Sequence, residues 1–136
     1  MNRCAPSLLA VCLALAGALV TLAPASASAQ AVHRNFPKNA LRGKITFGVP
    51  PAIGLNGKAA PMSSGYRIHG LDNLLVMSAQ LLNRTFTVDY TVDMNGQVYE
   101  IWLLSEAEAA KSPWPATAEQ AAAWTFDPIA QTWTKP

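Results

Sequence analysis

The alternation of residues around Asn95-Gly96 constrains the fold of this chain more than any other feature of its sequence. Asn-Gly favours a tight hairpin because both residues tolerate positive φ. With those two residues as the turn, Asp93 opposes Val98, Val92 opposes Tyr99, Tyr90 opposes Ile101 and Val88 opposes Leu103. One face of the hairpin then collects apolar and aromatic side chains. The other pairs Thr91 with Glu100 and Asp89 with Trp102, a polar set with one aromatic. A slip of one residue would bury Asp89 and Thr91 in place of Val88 and Tyr90, so the pattern fixes the register and predicts a solvated face carrying Asp89, Thr91 and Glu100.

Strand signals recur upstream. Ile45, Phe47 and Val49 alternate with Lys44, Thr46 and Gly48 until Pro50-Pro51 ends the pattern, and Ile53 and Leu55 lead into Asn56-Gly57, where a type I′ turn is expected. Ser63-Ser64-Gly65 reads as a break before a short strand from Tyr66 to His69. Gly70 to Asn73 reads as a turn before the apolar stretch Leu74-Leu75-Val76-Met77, and Ser78 to Asn83 as a helical turn or loop. Downstream, Ser105 with Glu108 and Thr117 with Gln120 have the spacing of capping boxes, each heading an alanine-rich stretch, with Ser112-Pro113-Trp114-Pro115 between them. Asp127-Pro128 marks a turn in a tail that forms a small hairpin or packs extended on the sheet. The expected fold is mainly β, a small barrel or curled antiparallel sheet with two short C-terminal helices.

The first residues have a different character. Arg3 precedes an apolar run from Leu8 to Leu22, Pro24 ends it, and Ala27-Ser28-Ala29 offers a small-residue cleavage site, the three parts of a secretory signal. The run is shorter than the roughly twenty residues needed to span a bilayer, so a cleaved leader is expected rather than an anchor, with no membrane span in the mature chain. The expected organisation is a signal peptide over 1–29, a flexible N-terminal arm over 30–40 in which Phe36 docks, and a single β-rich domain over 41–136 with a helical, aromatic-rich C-terminal segment. The address implied is periplasmic or secreted. Both cysteines, Cys4 and Cys12, lie in the leader, so the mature domain is held by packing without disulfides, and thiol catalysis and thiolate metal sites are excluded. Ten Lys and Arg against eight Asp and Glu, without a run of like charge, point to no nucleic-acid partner and no polybasic membrane patch.

Few residues offer chemistry. His33 and His69 are too few for a metal site by themselves, although Asp72 lies near His69 and could form a metal or acid–base pair with it. Asp89, Asp93 and Glu100 gather near one hairpin, and paired carboxylates can serve as acid and base where burial separates their pKa values. None of the serines sits in a nucleophile elbow. Asn83-Arg84-Thr85 has the form of a glycosylation sequon. The four tryptophans, Trp102, Trp114, Trp124 and Trp133, all fall in the last third of the chain. Exposed, they would form a binding surface for a sugar, peptide or protein. Buried, they would tie the C-terminal segment to the sheet, as a disulfide-free domain of this size requires.

The stretches Phe36 to Gly43, Val88 to Asp93 with Gly96 and Trp102, Pro113-Trp114-Pro115, and Trp124 through Phe126-Asp127-Pro128 to Gln131 to Pro136 resemble a group of small uncharacterised secreted proteins of proteobacteria. The resemblance implies a Gram-negative periplasmic address and no particular activity. The hairpin from Phe86 to Leu104 is also similar to that of the C-terminal domain of TonB-like energy transducers, but the long proline-rich spacer of that family is not seen here. The function expected is non-catalytic: a periplasmic binding or envelope-accessory protein without a cofactor, whose partner is a protein or glycan of the cell envelope. Two alternatives stand beside it. One is a small hydrolase or metal-dependent enzyme using His69 and the carboxylates, the other a structural component of an envelope assembly.

Overall fold

Alternation along β1 (Leu41–Phe47) buries Leu41, Gly43, Ile45 and Phe47 and turns Arg42, Lys44 and Thr46 outward. β1 pairs antiparallel with β2 (Ala52–Leu55) on one side and with β4 (Thr85–Val92) on the other. β2 continues into β3 (Lys58–His69), and β3 pairs in parallel with β5 (Val98–Leu103), which in turn pairs antiparallel with β4. The order β1-β2-β3-β5-β4 closes on itself, so of the two expected arrangements the chain adopts the barrel. This is the connectivity of an OB-type Greek-key barrel. The computed structural model describes residues 33–136; the expected leader and its cleavage site lie outside the described residues.

Both hairpin turns form, with different geometry. Asn56 and Gly57 have φ of 52° and 81°, the pair of positive values that a type I′ turn requires. At the second hairpin Gly96 has a φ of 75°, and Asp93 N–H donates to Gln97 O at 2.8 Å, so Met94, Asn95 and Gly96 form a longer loop than the Asn-Gly pair alone. The four outer pairs keep the expected register, Val88 with Leu103, Asp89 with Trp102, Tyr90 with Ile101 and Thr91 with Glu100. Near the turn the register shifts by one and Val92 opposes Val98 instead of Tyr99. Asp93 favours the longer loop because its Oδ1 accepts from both Asn95 N and Gln97 N.

Ser63-Ser64-Gly65 does not break the chain as expected. It lies inside the continuous strand β3, where the strand leaves β2 and takes β5 as its new partner, and the ladder skips between Met62 and Arg67. A Cβ on Gly65 would stand 3.6 Å from the Tyr99 ring, an ordinary contact, so the corner does not demand glycine there. Leu74 to Met77 forms no strand of its own; a single bridge ties Leu75 to His69. A 3₁₀ turn (Ser78–Leu81) follows and brings Leu81 into the hydrophobic cluster.

The C-terminal residues supply α1 (Glu106–Ala109), α2 (Ala118–Ala123) and a hairpin of β6 (Thr125–Asp127) with β7 (Thr132–Thr134). Ser105 and Glu108 make the full reciprocal capping box. Thr117 accepts from Gln120 N, but the Gln120 side chain reaches one residue further back, to Ala116 N, so the second box is only half formed. Together with the N-terminal arm, these elements cover the outward face of β4 and β5. The arm is not loose where described: Arg34 and Phe36 are buried and Ala40 is fully enclosed.

Candidate functional site

The hairpin face expected to meet solvent is covered. Asp89 and Thr91 are as buried as their inward neighbours Val88 and Tyr90, because Trp102, Phe36, Trp114 and Trp133 form a second apolar layer over that side of the barrel. Phe36 meets the Trp102 and Trp114 rings edge-on at 5.9 Å and 5.8 Å, and Trp114 meets Trp133 at 6.3 Å. Phe126 packs on Trp133 at 4.8 Å. Trp102, Trp114 and Trp133 are therefore packing residues and present no open ring face to a ligand. Trp124 is half-buried, with the Lys135 ammonium 5.2 Å from its ring. The tryptophans do not make the exposed platform that a binding surface of these residues would need.

The charged groups under this layer are spent on one another. Arg42 Nε donates to Asp89 Oδ1 at 2.9 Å, and the guanidinium lies 4.5 Å from the Trp114 ring. Burial pushes the Asp89 carboxyl up, against the downward pull of Arg42. Arg34 Nε donates to Glu108 Oε1 at 2.9 Å while its two terminal nitrogens donate to Gly70 O and Leu103 O, each at 2.7 Å. Burial raises Glu108, but hydrogen bonds from Arg34 and from Ser105 N–H outweigh it and hold the carboxyl below its ordinary value. Gln131, also buried, accepts from Phe36 N at 2.7 Å and donates to Pro128 O. Arg34, Arg42 and Gln131 were not legible as structural residues. Only Trp102, an aromatic in an otherwise polar row, signalled that the row is covered.

His69 does not join Asp72. Its Nε2 lies 2.9 Å from Glu100 Oε1, its ring stacks on Trp102 at 5.4 Å, and its Nδ1 is buried without a partner. Asp72 instead accepts from Leu74 N in a local turn, and Asp93 serves the β4–β5 loop, where its backbone hydrogen bonds hold its carboxyl below the usual value. Among the described residues no three His, Cys, Asp or Glu side chains converge as metal ligands. His33 is exposed in the arm, away from His69 in sequence and in no such group.

The surface that does call for an occupant lies on the β3–β4 connection. Leu71, Leu74, Leu75 and Met77 are 59, 67, 67 and 72 % exposed within seven residues of chain, and Leu82 follows at 39 %. Singly scattered exposed leucines are ordinary, whereas here large apolar side chains are exposed one after another along one connection. Beneath it a groove of about 450 Å³ is walled by Leu71, Val76, Leu81, Phe86, Leu103 and Leu104. Phe86 and Leu103 belong to inward-facing rows of β4 and β5, so the groove opens where the barrel interior ends. Asp72 and Arg84 are the charged residues that line it. The Arg84 guanidinium sits 4.8 Å from the Phe86 ring and makes no ion pair with a described residue.

The face that OB-type barrels turn to oligonucleotides, across β2 and β3, carries Pro51, Ala52, Ile53, Ala59, Ala60 and Pro61 around a shallow depression. Among the residues lining this depression there is no aromatic ring and no basic side chain of the kind that holds single-stranded nucleic acid. Compared with known proteins, the chain matches no protein-family model, no curated protein and no solved structure.

Proposed function

We propose that the protein is a non-catalytic binding or envelope-accessory protein of the periplasm, which engages its partner through the β3–β4 connection. The observation that carries this reading is the contiguous exposure of Leu71, Leu74, Leu75 and Met77 beside an apolar groove. A catalytic reading has less support. Asp89 and Glu108 are held by arginines, and His69 faces a single carboxylate, Glu100. Burial of Trp102, Trp114 and Trp133 also removes the main support for a sugar site.

Site-specific photocrosslinking tests the contact surface. A photoreactive residue at Leu75 in cells is expected to give adducts, identified by mass, that are absent when it is placed at Lys58 on the β2–β3 turn. Equal labelling from both positions would count against the β3–β4 surface. The periplasmic address rests on the leader, and the intact mass of the exported protein is expected to begin within two residues of Gln30. A product retaining Met1 to Ala29 would remove that address.

A further inference from the structure

We propose that the groove under the β3–β4 connection binds a single acyl chain bearing an anionic head group, with Arg84 holding the head. This inference rests on the binding role assigned above to the same surface and names its ligand class. Three classes of occupant for an apolar groove are a peptide, a glycan and a hydrocarbon chain, and the fold discriminates among them. An extended peptide would add to a free strand edge, but β4 beside the groove pairs with β1 along Thr85 to Tyr90 and with β5 from Val88 onward, and Thr87 O already accepts from Leu104 N. A glycan would need exposed aromatic faces and several polar side chains, whereas the walls here are Leu71, Val76, Leu81, Phe86, Leu103 and Leu104. A hydrocarbon chain needs only apolar walls and concavity, and a groove of about 450 Å³ provides both.

The charge at the groove selects the head group. Arg84 immediately precedes β4, and its guanidinium rests over the Phe86 ring, a wall of the groove, at 4.8 Å. A guanidinium offers planar N–H donors that suit a carboxylate or phosphate. No described side chain or carbonyl accepts from these donors. The opposing charge is Asp72, whose Oδ1 already accepts from Leu74 N at 3.0 Å. Its negative charge disfavours a second anion and so permits a sharp test. The exposed Leu74, Leu75 and Met77 belong to the same connection as the wall residues Leu71 and Val76 and would lie over the chain once it is seated.

Isothermal titration of the purified residue 30–136 form with laurate, dodecanol and dodecyltrimethylammonium reads the proposal directly. Laurate is expected to bind saturably at one site, about tenfold more tightly than dodecanol, as one charge-assisted contact allows, and the cationic amphiphile more weakly still. Arg84→Gln is expected to remove the preference for laurate over dodecanol without changing dodecanol binding, and Asp72→Asn to strengthen laurate binding several-fold. Both side chains are exposed, and an unchanged circular dichroism spectrum checks each fold. Equal affinity of the wild type for laurate and dodecanol, or an Arg84→Gln protein that still prefers laurate, would overturn the role of Arg84. Absence of saturable laurate binding would overturn the acyl-chain site, and adsorption to anionic vesicles in its place would assign the leucines to a membrane surface. Adducts from Leu75 that persist while laurate fails would sink this inference and leave the broader binding role standing.

Discussion

Arg42 and Asp89 face each other across β1 and β4 and join the barrel to the layer that covers it. They are direct register partners, with Nε to Oδ1 at 2.9 Å and Nη2 to Oδ2 at 3.2 Å. The same guanidinium also donates to the carbonyls of Ala109 and Lys111 and lies against Trp114, so one side chain touches the sheet, the α1 terminus and the tail. Asp89 is fully enclosed.

Removing one partner of such a pair leaves the other charge buried. Asp89→Ala is expected to cost about 3–5 kcal/mol in urea unfolding, and Asp89→Asn clearly less, because the amide keeps the volume and can still accept from Arg42. A similar cost for both would show that volume and hydrogen bonding contribute nothing beyond charge. Burial raises Asp89 above the ordinary carboxyl value of 3.8. The folded state therefore binds this proton more readily than the unfolded one. Relative to Asp89→Asn, the wild type should gain stability as pH falls from the raised folded value toward 3.8.

Glu108 behaves in the opposite sense. Its folded pKa lies below the ordinary value of 4.5, so its contribution is present above that value and is lost as pH falls through the folded pKa. Glu108→Gln should reduce stability at neutral pH and flatten this acid-side loss. An unchanged pH profile would argue that the Arg34–Glu108 contact is not maintained in solution.

Trp114→Ala and Trp133→Ala are each expected to cost about 3–5 kcal/mol, the range for deleting a buried large aromatic. Trp114 also donates from Nε1 to Ala40 O at 3.2 Å, which ties the loop before β1 to the tail. Denaturation midpoints within error of the wild type would return these rings to the surface.

Gly57 adopts a φ of +81° with nothing within 4 Å of where a Cβ would stand, so Gly57→Ala tests backbone strain without a clash. A loss of about 1 kcal/mol is expected. Gly57→Asn should recover part of it, since asparagine tolerates the left-handed region.

The register of β4 and β5 was legible because Val88, Tyr90, Ile101 and Leu103 can share an interior only in one alignment. The Asn56-Gly57 turn and the Ser105–Glu108 cap were legible because each depends on residues a few positions apart. Alternation, however, ranks two faces by polarity without saying whether the poorer one is covered. Asp89 and Thr91 were therefore misplaced, since the layer over them draws on Phe36, Trp114 and Trp133, far away in sequence. The exposed apolar stretch escaped notice for a related reason. Leu74 to Met77 has the composition of a buried segment, and only the three-dimensional connection from His69 to Thr85 leaves Leu74, Leu75 and Met77 outside while Val76 packs on the core.

Phe36 N donates to Gln131 Oε1 across 95 positions of chain, joining the first described residues to the final hairpin. As the polypeptide emerges N-terminus first, β1 to β5 can pair before β7 exists, but Phe36 and Trp102 have no complete cover until Gln131 and Trp133 arrive. Chains stopped short of that point would display the aromatic layer to their neighbours. The last few residues thus act as a seal that separates finished molecules from unfinished ones.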